Sequence, residues 1–423
     1  MAAETPNPHP ASRPPMLSVR EALAFLDAGA RAVVDVETVA TLAANGRVLA
    51  LDQASTIDVP SADNTQMDGY AVRAADCASG SARLKVSARI AAGQVGQPLA
   101  AGCAARIFTG AMIPAGADAV VMQEQCKAND DGTVTVRHAP PAGQWIRRAG
   151  EDIRAGATIL SAGTRLRSQE LGLAASTGLA SLPVLRRLRV AVFFTGDELT
   201  MPGEAPGGVL AAGAIYNSNR FTLRALLENL GCQIADFGIV PDTLAATRDT
   251  LRAAAGDNDL IITSGGVSVG EEDHIKPAVE AEGRLNMWQI AVKPGKPLAF
   301  GEVHKADAAS AFFIGLPGNP VSSLITFMLF VRPFILRLQG VQQPAPARSF
   351  AMRADFAWPQ ADRRNEFLRA RINDAGGLEL FPNQGSGVLT STVWGDGLID
   401  NPPGQTIAPG DIVRFIPFSE LLH

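Results

Sequence analysis

The fold of this chain is decided by residues 259–276, which read DLIITSGGVSVGEEDHIK. Their apolar start, residues 260–262, is short and rich in β-branched side chains, which predicts a buried strand. Gly265 and Gly266 follow closely and would let the backbone approach a ligand and offer N–H groups to an anion. Three acids at 271–273 would repel a phosphate unless a cation lay between them. The stretch therefore indicates an anionic ligand held with a divalent metal, although a plain strand-to-helix turn explains the same residues.

Short apolar runs alternate regularly with helical stretches on both sides of this segment, across residues 188–338. A helix is predicted to begin at Pro320, with Asn319 as its N-cap. The alternation predicts a doubly wound, mostly parallel sheet with helices on both faces. The predicted strands are residues 189–194, 233–240, 260–264, 287–292 and 312–316.

The loops that follow these five strands carry the polar residues of a candidate site. In a parallel sheet such loops meet at the carboxyl edge, where ligands bind. Two lysines facing several acids there would suit a polyanion together with a metal ion. Each residue alone is equally explained as a helix cap or a solvated charge, but the set predicts a binding site. The loop residues are Glu198, Asp242, Ser264, Gly265, Gly266, Asp273, Lys293, Lys296, Pro317, Asn319 and Pro320.

The flanking sequence is rich in predicted β structure. Residues 81–138 and 340–423 show short apolar runs separated by glycine and proline turns, and the second region predicts a small barrel or sandwich. The turn at 384–387 could reach a ligand, although a hairpin loop is favoured there. Near the N-terminus, a capping box at Ser18 predicts one helix, and a second helix is predicted over residues 36–49.

Length and composition limit the class of protein. A chain of 423 residues with 47% hydrophobic and 19% charged residues predicts several globular domains. The net charge of −5, without a basic patch, argues against nucleic acid as a partner. The proline-rich N-terminus predicts a flexible tail, and the longest apolar run, residues 321–331, is shorter than the roughly 20 residues of a membrane span. Four scattered cysteines without a CxxC pair predict reduced thiols in a cytoplasmic protein.

Eight short motifs resemble those of the MoeA family, the molybdopterin molybdenumtransferases, which includes the E domain of gephyrin. Each motif is weak alone, but the set keeps the order of the family and covers nearly the whole chain from about Ser18. The motifs are DNTQMDGYAVR (63–73), FTGAMIPAGADAVVMQE (108–124), IRRAGEDI (146–153), FFTGDEL (193–199), IYNSNR (215–220), ITSGGVSVGEEDHIK (262–276), VKPGKP (292–297) and GLPGNPVSS (315–323).

The resemblance implies an elongated, four-part subunit that forms a homodimer. It also implies the reaction, in which molybdate enters the dithiolene of adenylylated molybdopterin and AMP is released in a Mg²⁺-dependent step. Because the sulfurs that bind molybdenum belong to the pterin, no cysteine cluster is required. The expected parts are a tail (1–16), a mixed α/β domain (17–53 and 146–187), a β-rich domain (54–145), an α/β domain (188–338) and a C-terminal β-barrel (339–423).

Roles follow for the residues that match the family motifs. Asp68, Asp152, Glu198, Asp242 and Asp273 would be the catalytic acids, and the last three would also hold Mg²⁺. Asp68 and Thr109 would come from the partner subunit, so that each active site is built from two chains. The substrate-binding residues would be Thr109, Ser264, Gly265, Gly266, Ser268, Lys293, Lys296, Pro317, Asn319 and Pro320.

Two positions depart from the family pattern. Gln289 stands where some relatives have lysine, which would lower anion affinity unless another cation substitutes. Asn217 stands where relatives often have aspartate, so it is assigned no catalytic charge. The implied partners are a molybdopterin adenylyltransferase and acceptor molybdoenzymes, with no nucleic acid and no membrane.

Two other functional classes stay open. The chain could bind or sequester molybdate or molybdopterin without turnover, or act as a scaffold, although Glu198, Asp242 and Asp273 would then be unnecessary. It could also be the adenylyltransferase that makes the substrate, although the β-rich segments on both sides of the α/β region argue against this.

Overall fold

The computed structural model describes residues 16–267, 274–342 and 346–422. The chain forms two compact units. The first comprises Met1–Glu37, Gly46–Val48 and Leu185–His423, and the second comprises Thr38–Asn45 and Leu49–Val184. The predicted α/β region therefore belongs to the first unit.

A six-stranded sheet forms the centre of the first unit. Its strands lie in the order Gln233–Val240, Arg189–Thr195, Leu260–Ser264, Ser310–Leu316, Pro297–His304 and Gly283–Gln289. The first four are mutually parallel, whereas Pro297–His304 is antiparallel to both of its neighbours. The strands predicted over 189–194, 233–240, 260–264 and 312–316 are all present.

Successive residues of the sheet strands enter two different hydrophobic cores, because side chains alternate between the faces of a sheet. Val190 and Val192 pack into one core, and Ala191 and Phe193 pack into the other. Both faces are thus buried, as the apolar composition of these strands requires. The helices are Val19–Gly29, Ser218–Asn229 and Pro320–Leu338 on the first face, and Leu244–Asp257 and Ile275–Glu282 on the second.

The strand predicted over residues 287–292 is wrong in its bounds, and a further strand was missed. Gly283–Gln289 pairs with Pro297–His304 in an antiparallel register, and the short strand Val292–Lys293 pairs instead with Asn365–Glu366. A local apolar pattern does not reveal which distant segment a strand will join. Gly283–Gln289 nevertheless runs in the same direction as Ser310–Leu316, because both are antiparallel to Pro297–His304. The loop at 290–296 therefore reaches the predicted edge of the sheet.

The longest helical segment, Pro320–Leu338, continues beyond the apolar run at 321–331. It contains a π-helical turn, Phe327–Val331, before Pro333, whose ring and missing N–H disfavour regular α-helical hydrogen bonds. By length and composition alone the segment is apolar enough to cross a membrane. Its most apolar 18-residue stretch is, however, 78% buried inside the protein, as expected of a central core helix.

The C-terminal region of the first unit forms a second sheet, as its sequence predicts. The strand order is Val292–Lys293, Asn365–Ile372, Gly397–Asn401, Ile412–Pro417 and Phe350–Arg353, with Leu378–Leu380 beside Asn365–Ile372. A short helix, Thr390–Trp394, precedes Gly397. The sheet has its own core, which includes Leu368 and Phe415. Its closure into a barrel stays a prediction.

The second unit is built around another six-stranded sheet, with hydrophobic cores on both faces. Its strands lie in the order Ala119–Met122, Gly69–Val72, Cys103–Ile107, Ala82–Ile90, Thr133–Val136 and Cys126–Ala128. One α-helix, Ser168–Ser176, follows it. Short strands elsewhere are Gln53–Ala54, Asn64–Thr65, Ile146–Arg147, Thr158–Leu160, Ser181–Leu185, Leu199–Thr200 and Ile215–Tyr216.

The two helices predicted near the N-terminus have different outcomes. Val19–Gly29 is confirmed, with the Ser18 and Glu21 side chains forming the expected capping box. The helix predicted over 36–49 is wrong. That segment contains the strand Val36–Ala40, a 3₁₀ turn at Thr41–Ala43 and the strand Val48–Leu49. Its β-branched valines and threonines favour the extended backbone over the helix.

Candidate active site

A cleft of about 770 Å³ lies at the carboxyl edge of the central sheet in the first unit. All five loops that the sequence predicts at this edge contribute residues to the cleft. Pro320 begins the adjoining helix. Ser268 and Asp273 lie outside the described residues. The predicted residues that line the cleft are Glu198, Asp242, Ser264, Gly265, Gly266, Lys293, Lys296, Pro317 and Asn319.

The glycine loop after Leu260–Ser264 is shaped by close packing of two strand ends. Gly265 has a φ of +99°, and a Cβ atom there would lie 2.6 Å from the carbonyl oxygen of Thr195. Only glycine satisfies both conditions. The Ser264 hydroxyl donates to the carbonyl of Pro317 at 2.9 Å and accepts from Asn219 Nδ2 at 2.8 Å. Ser264, a predicted substrate-binding residue, thus already uses its hydroxyl to fix the neighbouring loop at 317–319.

Two carboxylates of the cleft fit a magnesium ion. Glu198 is exposed, and Asp242 is half-buried. The Glu198 carboxylate packs closely against Gly196, because a Cβ atom at Gly196 would lie within 2.9 Å of it. Across residues 16–267, 274–342 and 346–422, no group of three His, Cys, Asp or Glu residues is arranged to hold a metal. Mg²⁺ is commonly held by one or two carboxylates together with substrate phosphates and water. Glu198 and Asp242 match that donor set.

The two lysines of the cleft differ in their surroundings. Lys293 Nζ lies 3.0 Å from Glu366 Oε1 and 3.3 Å from Asp362 Oδ2. Glu366 is 1% exposed and also accepts from the indole of Trp358 at 2.8 Å. Lys293 is therefore a counterion of two acids, and its predicted role in binding the substrate stays a prediction. Lys296 has no ion pair within the described part of the chain.

We expect Lys293→Ala to lower the free energy of unfolding by about 1–3 kcal/mol, because it removes the cation beside the buried Glu366 carboxylate. The loss stays below that of a fully buried pair, since the Lys293 side chain is 39% exposed. Urea unfolding measures it. Lys276→Ala, at an exposed lysine, is the matched control, and Glu366→Gln added to Lys293→Ala should recover part of the loss. An unchanged unfolding midpoint would leave Lys293 as an ordinary solvated charge.

Several residues of the cleft were missed by the sequence reasoning. Arg364 lines it and forms two hydrogen bonds to Asp362, at 3.0 and 2.7 Å. The Arg364 guanidinium holds the pKa of the Asp362 carboxyl well below its usual range. The turn at Gln384–Ser386 also lines the cleft, and its contact with a ligand stays a prediction. The pairing of Val292–Lys293 with Asn365–Glu366 brings this region to the edge.

Asn217, a departure from the family pattern, has a structural position at the same edge. It is 2% exposed and lines the cleft. Its Oδ1 accepts from the backbone N–H of Arg220 at 3.1 Å, which caps the helix Ser218–Asn229. An N-cap amide does this without carrying a charge.

The second unit brings together two of its three predicted site residues. Asp68 Oδ1 accepts from the backbone N–H of Thr109 at 2.8 Å and from its hydroxyl at 2.7 Å. The backbone N–H of Thr109 is the main cause that lowers the pKa of the Asp68 carboxyl from its ordinary value. Asp152 is exposed, and its backbone N–H donates to the carbonyl of Val59 at 3.0 Å.

Comparison with known proteins gives matches along most of the chain. Residues 17–178 match the MoeA N-terminal region (domains I and II), 191–337 match the "probable molybdopterin binding domain", and 351–418 match the MoeA C-terminal region (domain IV). The molybdopterin molybdenumtransferase of Haemophilus influenzae is 43% identical over 386 residues, which cover 90% of this chain and 93% of that protein. The chain belongs to the molybdopterin molybdenumtransferase family.

Further relatives of this family agree. A molybdopterin molybdenumtransferase from Nostoc sp. is 36% identical over 384 residues, covering 88% of this chain and 86% of that protein. The crystal structure of the molybdopterin biosynthesis MoeA protein from Pyrococcus horikoshii OT3 has a TM-score of 0.80 at 27% identity, covering 95% of this chain and 100% of that one. The resemblance drawn from the motifs is thereby confirmed. The cleft draws residues from both the molybdopterin-binding and the C-terminal matches of the molybdenumtransferase family.

Proposed function

We propose that this protein is a molybdopterin molybdenumtransferase that acts in molybdenum cofactor biosynthesis. It takes adenylylated molybdopterin and molybdate as substrates, releases AMP in a Mg²⁺-dependent step and yields molybdenum-loaded molybdopterin. The observation that carries this proposal is the cleft itself, which combines acids, cations and close-approach glycines within a region matching a molybdopterin-binding domain. Family membership at 43% identity over most of the chain supports it.

The residues of the cleft suit a ligand with several anionic oxygens. The backbone N–H of Gly266, together with Lys296, binds molybdate or phosphate oxygens. Arg364 contributes a further guanidinium, which Asp362 orients through two hydrogen bonds. The polar loops fix the ligand, and the surrounding sheet keeps their geometry rigid.

Glu198, Asp242 and Asp273 would hold Mg²⁺. When bound, this ion would neutralise charge on the phosphate oxygens that flank the bond to AMP. The carboxylates of Glu198 and Asp242 are available for such a role, because no ion pair joins either of them to another residue among those described.

The finer organisation follows from the family resemblance. We infer a homodimer in which Asp68 and Thr109 of one subunit complete the cleft of the other, and a doubly wound α/β domain flanked by β-rich domains with a C-terminal barrel. The four-part division at residues 53/54, 145/146, 187/188 and 338/339 belongs to the same proposal. So do a cytoplasmic location and transient contacts with a molybdopterin adenylyltransferase and with acceptor molybdoenzymes.

The decisive experiment incubates the protein with adenylylated molybdopterin, Mg²⁺ and molybdate and measures AMP by chromatography. We expect AMP release that depends on both ions, because the cleft offers sites for an anion and a cation together. The control omits molybdate or adds a chelator of Mg²⁺. ATP consumption with bare molybdopterin, and no AMP from the adenylate, would identify an adenylyltransferase instead. Binding of the adenylate without any AMP release would identify a carrier or scaffold.

A further inference from the structure

Two neighbouring strands of the second unit end in the same dipeptide, Arg-Ile. The strands are Ala82–Ile90 and Cys103–Ile107, and they run parallel. Their register places Arg89 directly beside Arg106, and the isoleucine that follows each arginine lies in one shared hydrophobic core. Because side chains alternate along a strand, both arginines lie on the other face of the sheet. Two like charges therefore stand side by side at the carboxyl ends of parallel strands.

No carboxylate neutralises this pair of arginines. Like charges directly opposite each other on neighbouring strands destabilise a sheet. Neither Arg89 nor Arg106 forms an ion pair within residues 16–267, 274–342 and 346–422. Arg83, on the same strand as Arg89, has the usual surface arrangement, since it pairs with Asp131. One unpaired arginine is ordinary at a surface, but two in register without an acid make a local positive potential that attracts an anion.

An aromatic ring holds both guanidinium groups in place. Phe108 follows the strand Cys103–Ile107 directly, and its ring centroid lies 4.5 Å from Arg89 Cζ and 4.4 Å from Arg106 Cζ. Arg106 Cζ also lies 5.4 Å from the ring centroid of Tyr70. A cation–π contact attracts a guanidinium to the face of the ring and uses none of its N–H donors. The ring therefore positions two cations whose N–H groups stay available to other partners.

The donors of the two arginines are used differently. Arg106 donates to the backbone carbonyls of Gly69 and Ile107 at 2.8 and 3.1 Å. Its Nη2 donates to Gln123 Oε1 at 2.7 Å. Arg89 is exposed, and its guanidinium donates to no other residue of the described chain. Arg106 is thus a fixed charge, whereas Arg89 offers the planar N–H fork that matches two oxygens of a phosphate group.

Two predicted site residues adjoin this arginine pair. Thr109 follows Phe108, and its backbone N–H and hydroxyl donate to Asp68 Oδ1. These two bonds lower the pKa of the Asp68 carboxyl, and the charge of Arg106 lowers it further. The negative charge of Asp68 is thereby compensated without Arg89. Arg89 is the cation of this cluster that still lacks an anion.

We propose that Arg89, supported by Arg106 and Phe108, binds the phosphate group of AMP on the second unit. A phosphate monoester carries about two negative charges at neutral pH, which two neighbouring guanidinium groups match. The fork of Arg89 donates to two phosphate oxygens, and the fixed charge of Arg106 adds attraction. The inference rests on the proposed function in taking AMP, the product of that reaction, as the carrier of the phosphate. Asp68 and Thr109, beside the pair, are residues that the same function assigns to this substrate.

The test compares Arg89→Gln with Arg83→Gln, a matched control on the same strand, by titration calorimetry with AMP at low ionic strength. We expect Arg89→Gln to weaken AMP binding about fivefold, because an exposed charge-assisted hydrogen bond is lost. Arg83→Gln should stay within about twofold of wild type, since its charge is already paired. Adenosine, which lacks the phosphate, should bind wild type and Arg89→Gln equally. Equal affinity of folded Arg89→Gln and wild type for AMP would overturn the proposal, as would the absence of AMP binding to wild type.

Two further variants separate a built phosphate site from the general charge of the surface. Arg89→Lys keeps the charge but loses the planar fork, so we expect an affinity for AMP between those of wild type and Arg89→Gln. Phe108→Leu keeps both charges but removes the ring that positions them, and it should weaken AMP binding about threefold. Melting temperatures verify that each variant is folded. If only net charge mattered, both variants would match wild type and Arg83→Gln would match Arg89→Gln, and that result would overturn the proposal.

Failure of this inference is distinguishable from failure of the proposed function, because titration with AMP needs no turnover. If wild type releases no AMP from adenylylated molybdopterin but Arg89→Gln binds AMP about fivefold more weakly than wild type, the proposed function fails and this inference stands. If wild type releases AMP and both proteins bind AMP equally, the proposed function stands and this inference is overturned. In the active protein, AMP should also inhibit Arg89→Gln more weakly than wild type by the same factor.

Discussion

Asp242→Asn should lower turnover by about 100-fold or more while leaving the free energy of unfolding within about 0.5 kcal/mol of wild type. Asp242 is half-buried, lines the cleft and follows the strand Gln233–Val240 at its carboxyl end. The change keeps the size of the side chain but removes the negative charge that a cation would require. We expect this change to leave the free energy of unfolding nearly unaltered, because Asp242 forms no ion pair within the described chain.

The measurement is AMP release at limiting and at saturating Mg²⁺, with urea unfolding in parallel. Asp197→Asn is the matched control, since Asp197 is an exposed acid on the same edge that does not line the cleft. We expect the control to retain nearly full turnover. If Asp242→Asn keeps wild-type turnover at limiting Mg²⁺, Asp242 does not hold the metal ion. An unfolded variant would show that the aspartate is needed for the fold instead.

A mixture of two inactive variants, Asp68→Ala and Asp242→Asn, should regain roughly a quarter of the activity of wild type after subunit exchange. Asp68 belongs to the second unit and Asp242 to the first. If each active site takes Asp242 from one chain and Asp68 from the other, a heterodimer has one site with both defects and one with neither. Random exchange of equal amounts makes about half of the dimers heterodimers, which gives the expected quarter.

The matched control mixes Asp242→Asn with Glu198→Gln. Both residues line the same cleft of the first unit, so every site in a heterodimer keeps one defect and no activity should return. Subunit exchange is verified with differently tagged chains. If the Asp68 and Asp242 variants regain no activity despite verified exchange, both residues act within a site built from one chain. Recovery in the control pair as well would show that the variants are not truly inactive.

Much of the site was predictable because it depends on the direction of strands. The acid Asp242, the glycine loop at 265–266 and the turn at 317–319 all follow carboxyl ends of parallel strands, and the alternation of apolar runs and helices determines that direction. The loop with Lys293 and Lys296 reached the same edge although a strand of the sheet was missed. The missed strand, Pro297–His304, is antiparallel to both Gly283–Gln289 and Ser310–Leu316. Gly283–Gln289 therefore keeps the direction of the parallel strands.

The partners of the charged groups were not predictable. Lys293 pairs with Asp362 and Glu366, about 70 positions along the chain, because the strand Val292–Lys293 joins the C-terminal sheet. The helix expected over 36–49 was wrong for a local reason, since the β-branched residues of that segment favour the extended backbone. Long-range pairing depends on register and on which edge is free, and neither leaves a local pattern.

The sequence by itself determined the α/β alternation, the edge at which a ligand would bind and the family to which the chain belongs. These features depend on local periodicity, on glycine and proline turns and on short motifs, all of which can be recognised in the sequence. Only the tertiary structure decided that Lys293 is neutralised by buried Glu366 and that Arg364 and the 384–386 turn line the cleft. The physical reason is that the environment of a charge depends on burial and on partners remote in the chain.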